Sequence, residues 1–241
     1  MAREVVCLHG WGMRSGVWDA LRSQLAGRST RAVDLPGYGA AAALEAYTLD
    51  AVVDRLASEA GAEIDLVGWS LGGLIALHWA ARRPAQVMRL VLLSATPCFA
   101  ETLDWPRGVS AATLRIFMAQ LKQSSDALMR RFCALQAEGE ENAVELSATL
   151  YAQRAEASSQ TLVDSLSLLG TSDVRCALAA LTQPTLILHG EGDAVTPVSA
   201  ARWMSEQLPY AHLQCFSHCG HALPVSHATA CAQSMERFLD E

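Results

Sequence analysis

A serine sits between two glycines in Gly68-Trp69-Ser70-Leu71-Gly72, where a short apolar run, 64–67, gives way to a helix-like one. A serine hydroxyl is a weak nucleophile unless a base takes its proton. The pattern G-x-S-x-G is thin by itself, since chance supplies roughly 0.1 matches in a chain of this length. Its setting adds weight. A nucleophile elbow needs a strand before the serine, a helix after it, and a tight, strained turn between them. Residues two before and two after the serine then crowd each other, so both positions want no Cβ. Gly68 and Gly72 meet that demand, and Gly73 leaves room for close helix–strand packing. Such a turn lifts Oγ to the sheet edge and aims the Leu71 N–H, at a helix N-terminus, toward a developing oxyanion. The bland alternative makes Ser70 an ordinary helix N-cap.

A base and an acid must join the serine, and an elbow enzyme places them in the order serine, acid, histidine. Histidines stand at 9, 78, 189, 212, 218, 221 and 227. The loop after the last predicted strand, within "LQCFSHCGHALPVSH", offers three of them. His221, after Gly220 and before an apolar loop, is the favoured base. His218 is the second choice, and His227 reads as the start of the final helix. The acid belongs after the preceding strand. In "PTLILHGEGDAVTP" that is Asp193, with Glu191 as the alternative. Its work would be to hold the imidazole tautomer and stabilise the imidazolium. The second oxyanion donor belongs to the loop after the first strand. In "VVCLHGWG" the Trp11 N–H takes that place, and its ring would wall the site, while His9 reads as a brace for the loop.

The elements that must position these groups alternate along the chain. Strands are predicted at 4–8, 30–34, 64–68, 89–93, 185–189 and 213–216, several of them near-continuously apolar, as strands covered on both faces should be. Helices are predicted at 16–26, 49–60, 71–82, 197–207 and 228–239. This alternation predicts an α/β fold, a mostly parallel sheet with helices on both faces. It breaks between Thr96 and Cys176, where Leu, Met, Ala and Phe recur at helical spacing without a convincing strand. Residues 1–95 and 177–241 then form the core, and 96–176 a helical cap within a single compact unit.

The 241 residues are 51% hydrophobic and 18% charged, enough apolar material for a sizeable core. No run is long and apolar enough for a membrane span. Charged residues at 3 and 4 and a short apolar run are unlike a signal peptide, so cytoplasmic residence is expected. Seven cysteines, scattered without C-x-x-C or zinc spacing, read as reduced thiols, and no metal is expected; Cys219, two residues before His221, is a candidate for oxidation. The net charge of −7 disfavours nucleic-acid binding. From Trp105 to Arg131, however, Arg107, Arg115, Lys122, Arg130 and Arg131 face one acid, Asp126, a local +4 that leaves −11 for the remainder. A basic patch on an acidic protein can dock an acidic partner, or it can be a solvated helix face. If 110–123 is helical, Arg115 and Lys122 share one face.

In order, "LHGWG", "DLPGYG", "GWSLGG", "GEGDAVTP" and the Gly220-His221 pair resemble the α/β-hydrolases over nearly the whole chain. "HGWG", "GWSLGG", "SATPCF" (94–99) and "RFCALQ" (131–136) resemble one branch, the pimeloyl-[acyl-carrier protein] methyl ester esterases of biotin synthesis, the BioH type. The resemblance implies the α/β-hydrolase fold and hydrolysis of the methyl ester of pimeloyl-acyl-carrier protein. It implies an acyl channel lined by Phe132, Cys133, Ala134, Leu135 and Gln136, with Trp11, Ser70, Leu71 and His221 beside the substrate. It further implies an acidic acyl-carrier protein docked on Arg115, Lys122, Arg130 and Arg131. A monomer without cofactor or metal is expected. Relatives usually carry an extra strand or hairpin ahead of the first strand, so this edge of the sheet is expected to be short. A broad esterase for short soluble esters, or a non-catalytic binding protein on the same fold, are the alternatives.

Overall fold

The computed structural model describes residues 3–25 and 27–241. Six strands form one sheet: β1 (Glu4–Leu8), β2 (Thr30–Val33), β3 (Ile64–Trp69), β4 (Val87–Leu93), β5 (Thr185–Gly190) and β6 (Ala211–Phe216). Their order is β2-β1-β3-β4-β5-β6, and every neighbouring pair is parallel. Every residue of β3 and β5 is buried, which accounts for their mostly apolar sequences; the exceptions, Asp65 in β3 and Thr185 and His189 in β5, are buried with them. All six predicted strands are present. β4 and β6 start two residues earlier than the apolar pattern suggests, because Val87 pairs with Ile64 and Ala211 with Thr185. Ladder pairing continues past the point where side-chain hydropathy reports it.

The helices are α1 (Asp19–Gln24), α2 (Leu49–Glu59), α3 (Leu71–Arg82), α4 (Ala111–Gln123), α5 (Ser125–Gln136), α6 (Ala143–Ala152), α7 (Ser159–Thr171), α8 (Val198–Gln207), α9 (Leu223–Ser226) and α10 (Ala228–Asp240). The helix predicted over 16–26 is divided: a 3₁₀ turn, Ser15–Trp18, buries Val17 and Trp18 before α1 begins. Its predicted last residue, Ala26, lies outside the described residues. Between β4 and β5 the chain forms α4 to α7. Serines set three of their N-termini: Ser110 accepts from Thr113 N–H at 3.2 Å, Ser124 from Ala127 at 3.3 Å and Ser158 from Thr161 at 3.0 Å. Each such cap contributes about 1 kcal/mol.

From β1 the chain runs to β2 on one side, then crosses to β3 on the other. The carboxyl ends of β1 and β3 therefore flank a crevice, the usual ligand position in such a sheet. His9 holds its β1 side. The His9 Nδ1–H donates to Gly10 O at 2.8 Å, and Nε2 accepts the Leu35 N–H at 2.9 Å. The four-helix segment meets this crevice through Trp11 Nε1–H donating to Leu162 O at 3.1 Å, and Tyr38 Oη against Ser165 Oγ at 2.6 Å.

Burial holds the His9 imidazole down from 6.5 to about 4. The unfolded chain takes up a proton near pH 6.5 and the folded one only near 4, so this contribution to stability is present above pH 6.5 and lost as pH falls toward 4. It is on the order of 3 kcal/mol. Melting temperature is expected to drop across that window, and His9→Asn to make the drop shallower. Thermal melts of both proteins from pH 7 down to about 4 test this; identical slopes would remove His9 as the source.

Candidate active site

Ser70 stands at the β3–α3 junction with φ +55° and ψ −116°. A residue with a side chain holds such a backbone at a cost of order 1–3 kcal/mol, and only when its surroundings enforce it. They do so here. Ser70 N–H donates to Leu93 O at 3.0 Å, and Ser70 O accepts from Gly73 N–H at 2.9 Å and Leu74 N–H at 3.1 Å. A Cβ on Gly68 would lie 2.6 Å from Gly73 Cα, and one on Gly72 would lie 2.7 Å from the Leu8 carbonyl carbon. Neither approach is possible, so both positions require glycine. The Ser70 hydroxyl makes no capping hydrogen bond. The N-cap reading therefore does not account for a serine here.

Asp193 lies in the turn after β5, with its side chain fully buried. Its Oδ1 accepts the Val195 and Thr196 N–H groups, both at 2.8 Å. Its Oδ2 faces Thr196 Oγ1 at 2.8 Å and His221 Nδ1 at 2.8 Å. Burial pushes the Asp193 carboxyl up, but His221, its hydrogen bond, His189 and the Thr196 N–H outweigh it and hold the group below its ordinary value. A carboxylate that only accepts assigns the proton to His221 Nδ1. Nε2 is then the basic nitrogen, and it is buried with no hydrogen-bond partner. The histidine backbone is pinned from two sides: Trp69 Nε1–H donates to His221 O at 2.9 Å, and His221 N–H donates to Gln136 O at 3.1 Å. The alternatives point elsewhere. Glu191 accepts from Ser217 Oγ at 2.8 Å, and His218 is exposed in the turn after β6.

Trp11 and Leu71 flank the serine in the chain positions an oxyanion hole uses. Among the described residues, neither backbone N–H donates to a protein acceptor. Ser70 and Trp11 open onto an apolar cavity roofed by the segment between β4 and β5. Phe132 meets the Trp11 ring edge-on with centroids 5.3 Å apart, and Phe117 meets Phe132 at 5.9 Å. Phe99, Leu135, Leu166 and Leu169 extend the apolar wall.

The five-residue lining expected over 132–136 is corrected by helix geometry. Phe132 and Leu135 reach the cavity; Cys133 is buried off it, Ala134 faces solvent, and Gln136 turns inward with its carbonyl on His221 N–H. A helix of 3.6 residues per turn presents positions three apart to one side, not five in a row. The Leu71 and His221 side chains are buried and do not border the cavity. Arg115 and Lys122 are exposed on α4 and make no ion pair among the described residues. Arg130 pairs with Asp126 at 3.1 Å and stacks on Tyr151, and Arg131 donates to Gln120 at 3.2 Å.

Two polar residues of the site escaped the sequence reading. Thr196 braces Asp193 with both its N–H and its hydroxyl. His189 is fully buried, donates from Nε2 to Thr196 O at 2.8 Å, and is held neutral by burial, its pKa lowered. Thr196 stood in "GDAVTP", so the motif contained the signal; His189 ends an apolar strand and carried none.

Residues 5–234 match the family model described as "Alpha/beta hydrolase family". The pimeloyl-[acyl-carrier protein] methyl ester esterase of Nitrosomonas europaea is 40% identical over 91% of this chain and 88% of its own. The enzyme of the same name from Aromatoleum aromaticum is 40% identical over 97% of this chain and 96% of its own. Among solved structures, an esterase from Exiguobacterium antarcticum superposes with a TM-score of 0.91 at 24% identity, covering 100% of this chain and 92% of that one. That last likeness concerns the fold. The match along the sequence and the agreement in architecture lead to one conclusion: the chain belongs to the alpha/beta hydrolase family.

Proposed function

We propose that this protein is a serine carboxylesterase that hydrolyses the methyl ester of pimeloyl-acyl-carrier protein, releasing methanol and leaving pimeloyl-acyl-carrier protein. Ser70, His221 and Asp193 form the triad. The observation that carries this reading is the saturated Asp193 carboxylate, which fixes the His221 proton on Nδ1 and leaves a buried, unpartnered Nε2 to accept the serine proton. Ser70 Oγ attacks the ester carbonyl as Nε2 takes its proton. The Trp11 and Leu71 N–H groups stabilise the tetrahedral oxyanion. The imidazolium then protonates departing methanol, and water activated by the same nitrogen frees the acid.

The substrate assignment rests on the names of the relatives and on the cavity's chemistry. An apolar wall of Phe132, Leu135, Leu166 and Leu169 suits a methylene chain. Residues 96–176 serve as the cap that carries this wall. The cap's exposed Arg115 and Lys122, free of ion pairs among the described residues, support docking of an acidic carrier; Arg130 and Arg131 flank them with partners that a carrier would have to displace. Seven unpaired cysteines suit a cytoplasmic setting. No helix among the described residues is long and apolar enough to cross a membrane.

Two outcomes are expected. Ser70→Ala should abolish turnover, while Asp193→Asn should lower kcat about 10³–10⁴-fold with little change in KM, since the imidazole would be held in the wrong tautomer. Methyl-ester loss followed by mass spectrometry reads both, with thermal melts to verify folding. Ser70→Ala turnover within a few-fold of wild type would end the triad assignment. Arg115→Glu combined with Lys122→Glu should lower kcat/KM on the carrier-bound ester about tenfold and flatten its salt dependence, leaving free monomethyl pimelate unaffected. Equal losses on both esters would place these residues outside carrier recognition and favour a general esterase.

A further inference from the structure

A second cluster of titratable side chains adjoins the His221 loop. Cys219 Sγ lies 3.0 Å from His227 Nε2 and 3.5 Å from its Nδ1. Glu140 Oε1 lies 3.7 Å from His227 Nδ1. The three come from separate places: the turn after α5, the loop after β6, and the residue that precedes α10. One ligand atom from each falls within 4.8 Å of the others. Around a tetrahedral ion with bonds near 2.3 Å to sulfur and 2.0–2.1 Å to nitrogen and oxygen, donor atoms stand about 3.4–3.6 Å apart. Movements of about an ångström convert one arrangement into the other.

Charge and burial point the same way. The Glu140 side chain is only 4% exposed. Its Oε1 accepts the Gly220 N–H at 3.0 Å, but no arginine or lysine pairs with it among the described residues. A buried carboxylate without a cation is costly. Cys219 is 1% exposed, whereas the His227 side chain is 31% exposed and leaves an approach from solvent. Ser226 Oγ sits 2.8 Å from His227 Nδ1, which orients the ring and leaves Nε2 toward the sulfur.

We propose that Glu140, Cys219 and His227 bind a borderline divalent transition-metal ion of the zinc type, and that the bound ion lowers esterase activity. Thiolate and imidazole select such an ion over magnesium or calcium, whose ligands are oxygens. On binding, the Cys219 thiol gives its proton to solvent. Thiolate, neutral imidazole and carboxylate then carry a ligand charge that balances a divalent ion, with water in the fourth position. The effect on turnover rests on the triad reading above. Glu140 now holds the amide of Gly220, next to His221, and Cys219 O accepts the Gly192 N–H at 2.9 Å, next to Asp193. An ion that recruits the carboxylate competes with the Gly220 N–H for it, and its pull on the Cys219 thiolate moves the residue whose carbonyl holds Gly192, so it shifts the two loops that align the triad.

Cobalt(II) is the probe for binding. The full chain is expected to take up one equivalent and show a thiolate-to-cobalt charge-transfer band in the near ultraviolet. Cys219→Ser should lose that band, and His227→Gln should weaken cobalt binding about tenfold or more. The Ser70→Ala protein should keep the band, so the site is read without turnover and survives or fails apart from the triad. Zinc should lower wild-type turnover about fivefold or more at saturation. Cys219→Ser and His227→Gln, active without metal, should resist it. A missing band, or one that persists in Cys219→Ser, would overturn the site. Equal zinc inhibition in wild type and both variants would put the inhibitory ion on other groups and overturn the coupling. Should Cys219→Ser fold poorly, His227→Gln, altered at a part-exposed side chain, carries both readouts.

Discussion

The close approach of α3 to the ends of β1 and β3 is the constraint on which the rest of the site depends. Gly72 lies against the Leu8 carbonyl, and Gly68 lies against the first turn of α3. With a Cβ at either position the helix could not start where it does, and Ser70 could not be held at positive φ. That one contact sets three things together. It lifts the serine hydroxyl into the crevice, it brings the Leu71 amide beside it, and it fixes both relative to the β1 loop that carries Trp11. The strain at Ser70 is therefore supported by the sheet itself, through Leu93 O and the packed glycines, rather than by any bond of the serine side chain.

Electrostatic order is built into the second half of the site. Asp193 is buried yet charged, because two backbone amides, a hydroxyl and an imidazole surround its oxygens. A buried carboxylate satisfied to this degree does not need water, and it leaves His221 only one tautomer. Position is settled by other means. The His221 carbonyl takes a hydrogen from the core residue Trp69, and its amide gives one to Gln136 at the end of α5. The imidazole is thus held jointly by the sheet and by the helices between β4 and β5, so that segment bears on the position of His221 as well as on the shape of the cavity.

The inserted helices divide their surfaces between two tasks. Phe117 of α4, Phe132 and Leu135 of α5, and Leu166 and Leu169 of α7 turn to the cavity, while Arg115 and Lys122 of α4 turn to solvent. Helical periodicity places both sets on the same short elements without conflict. The apolar and the basic residues of this layer therefore lie on different faces.

Much of this was legible in the residues alone. The β–α alternation named the six strands and the sheet type, because strands buried on both faces are largely apolar, and Gly68 and Gly72 marked the tight β3–α3 turn, because a forbidden Cβ leaves a mark in the sequence. Chain order and loop position picked out Asp193 and His221, which the fold brings within 2.8 Å of each other. What the sequence did not carry was the detail of how separate segments meet. Which residues of 132–136 face the cavity was decided by the rotation of α5 in its packing, and a motif read as a line cannot report a rotation. His189 looks like any strand end until the fold places it beside Asp193 and Thr196. Glu140, Cys219 and His227 have no metal-like spacing, and only the folding of three distant segments onto the His221 loop makes them neighbours. Local backbone demands are written into residue types; proximity between side chains far apart in the chain exists only once the tertiary structure has closed.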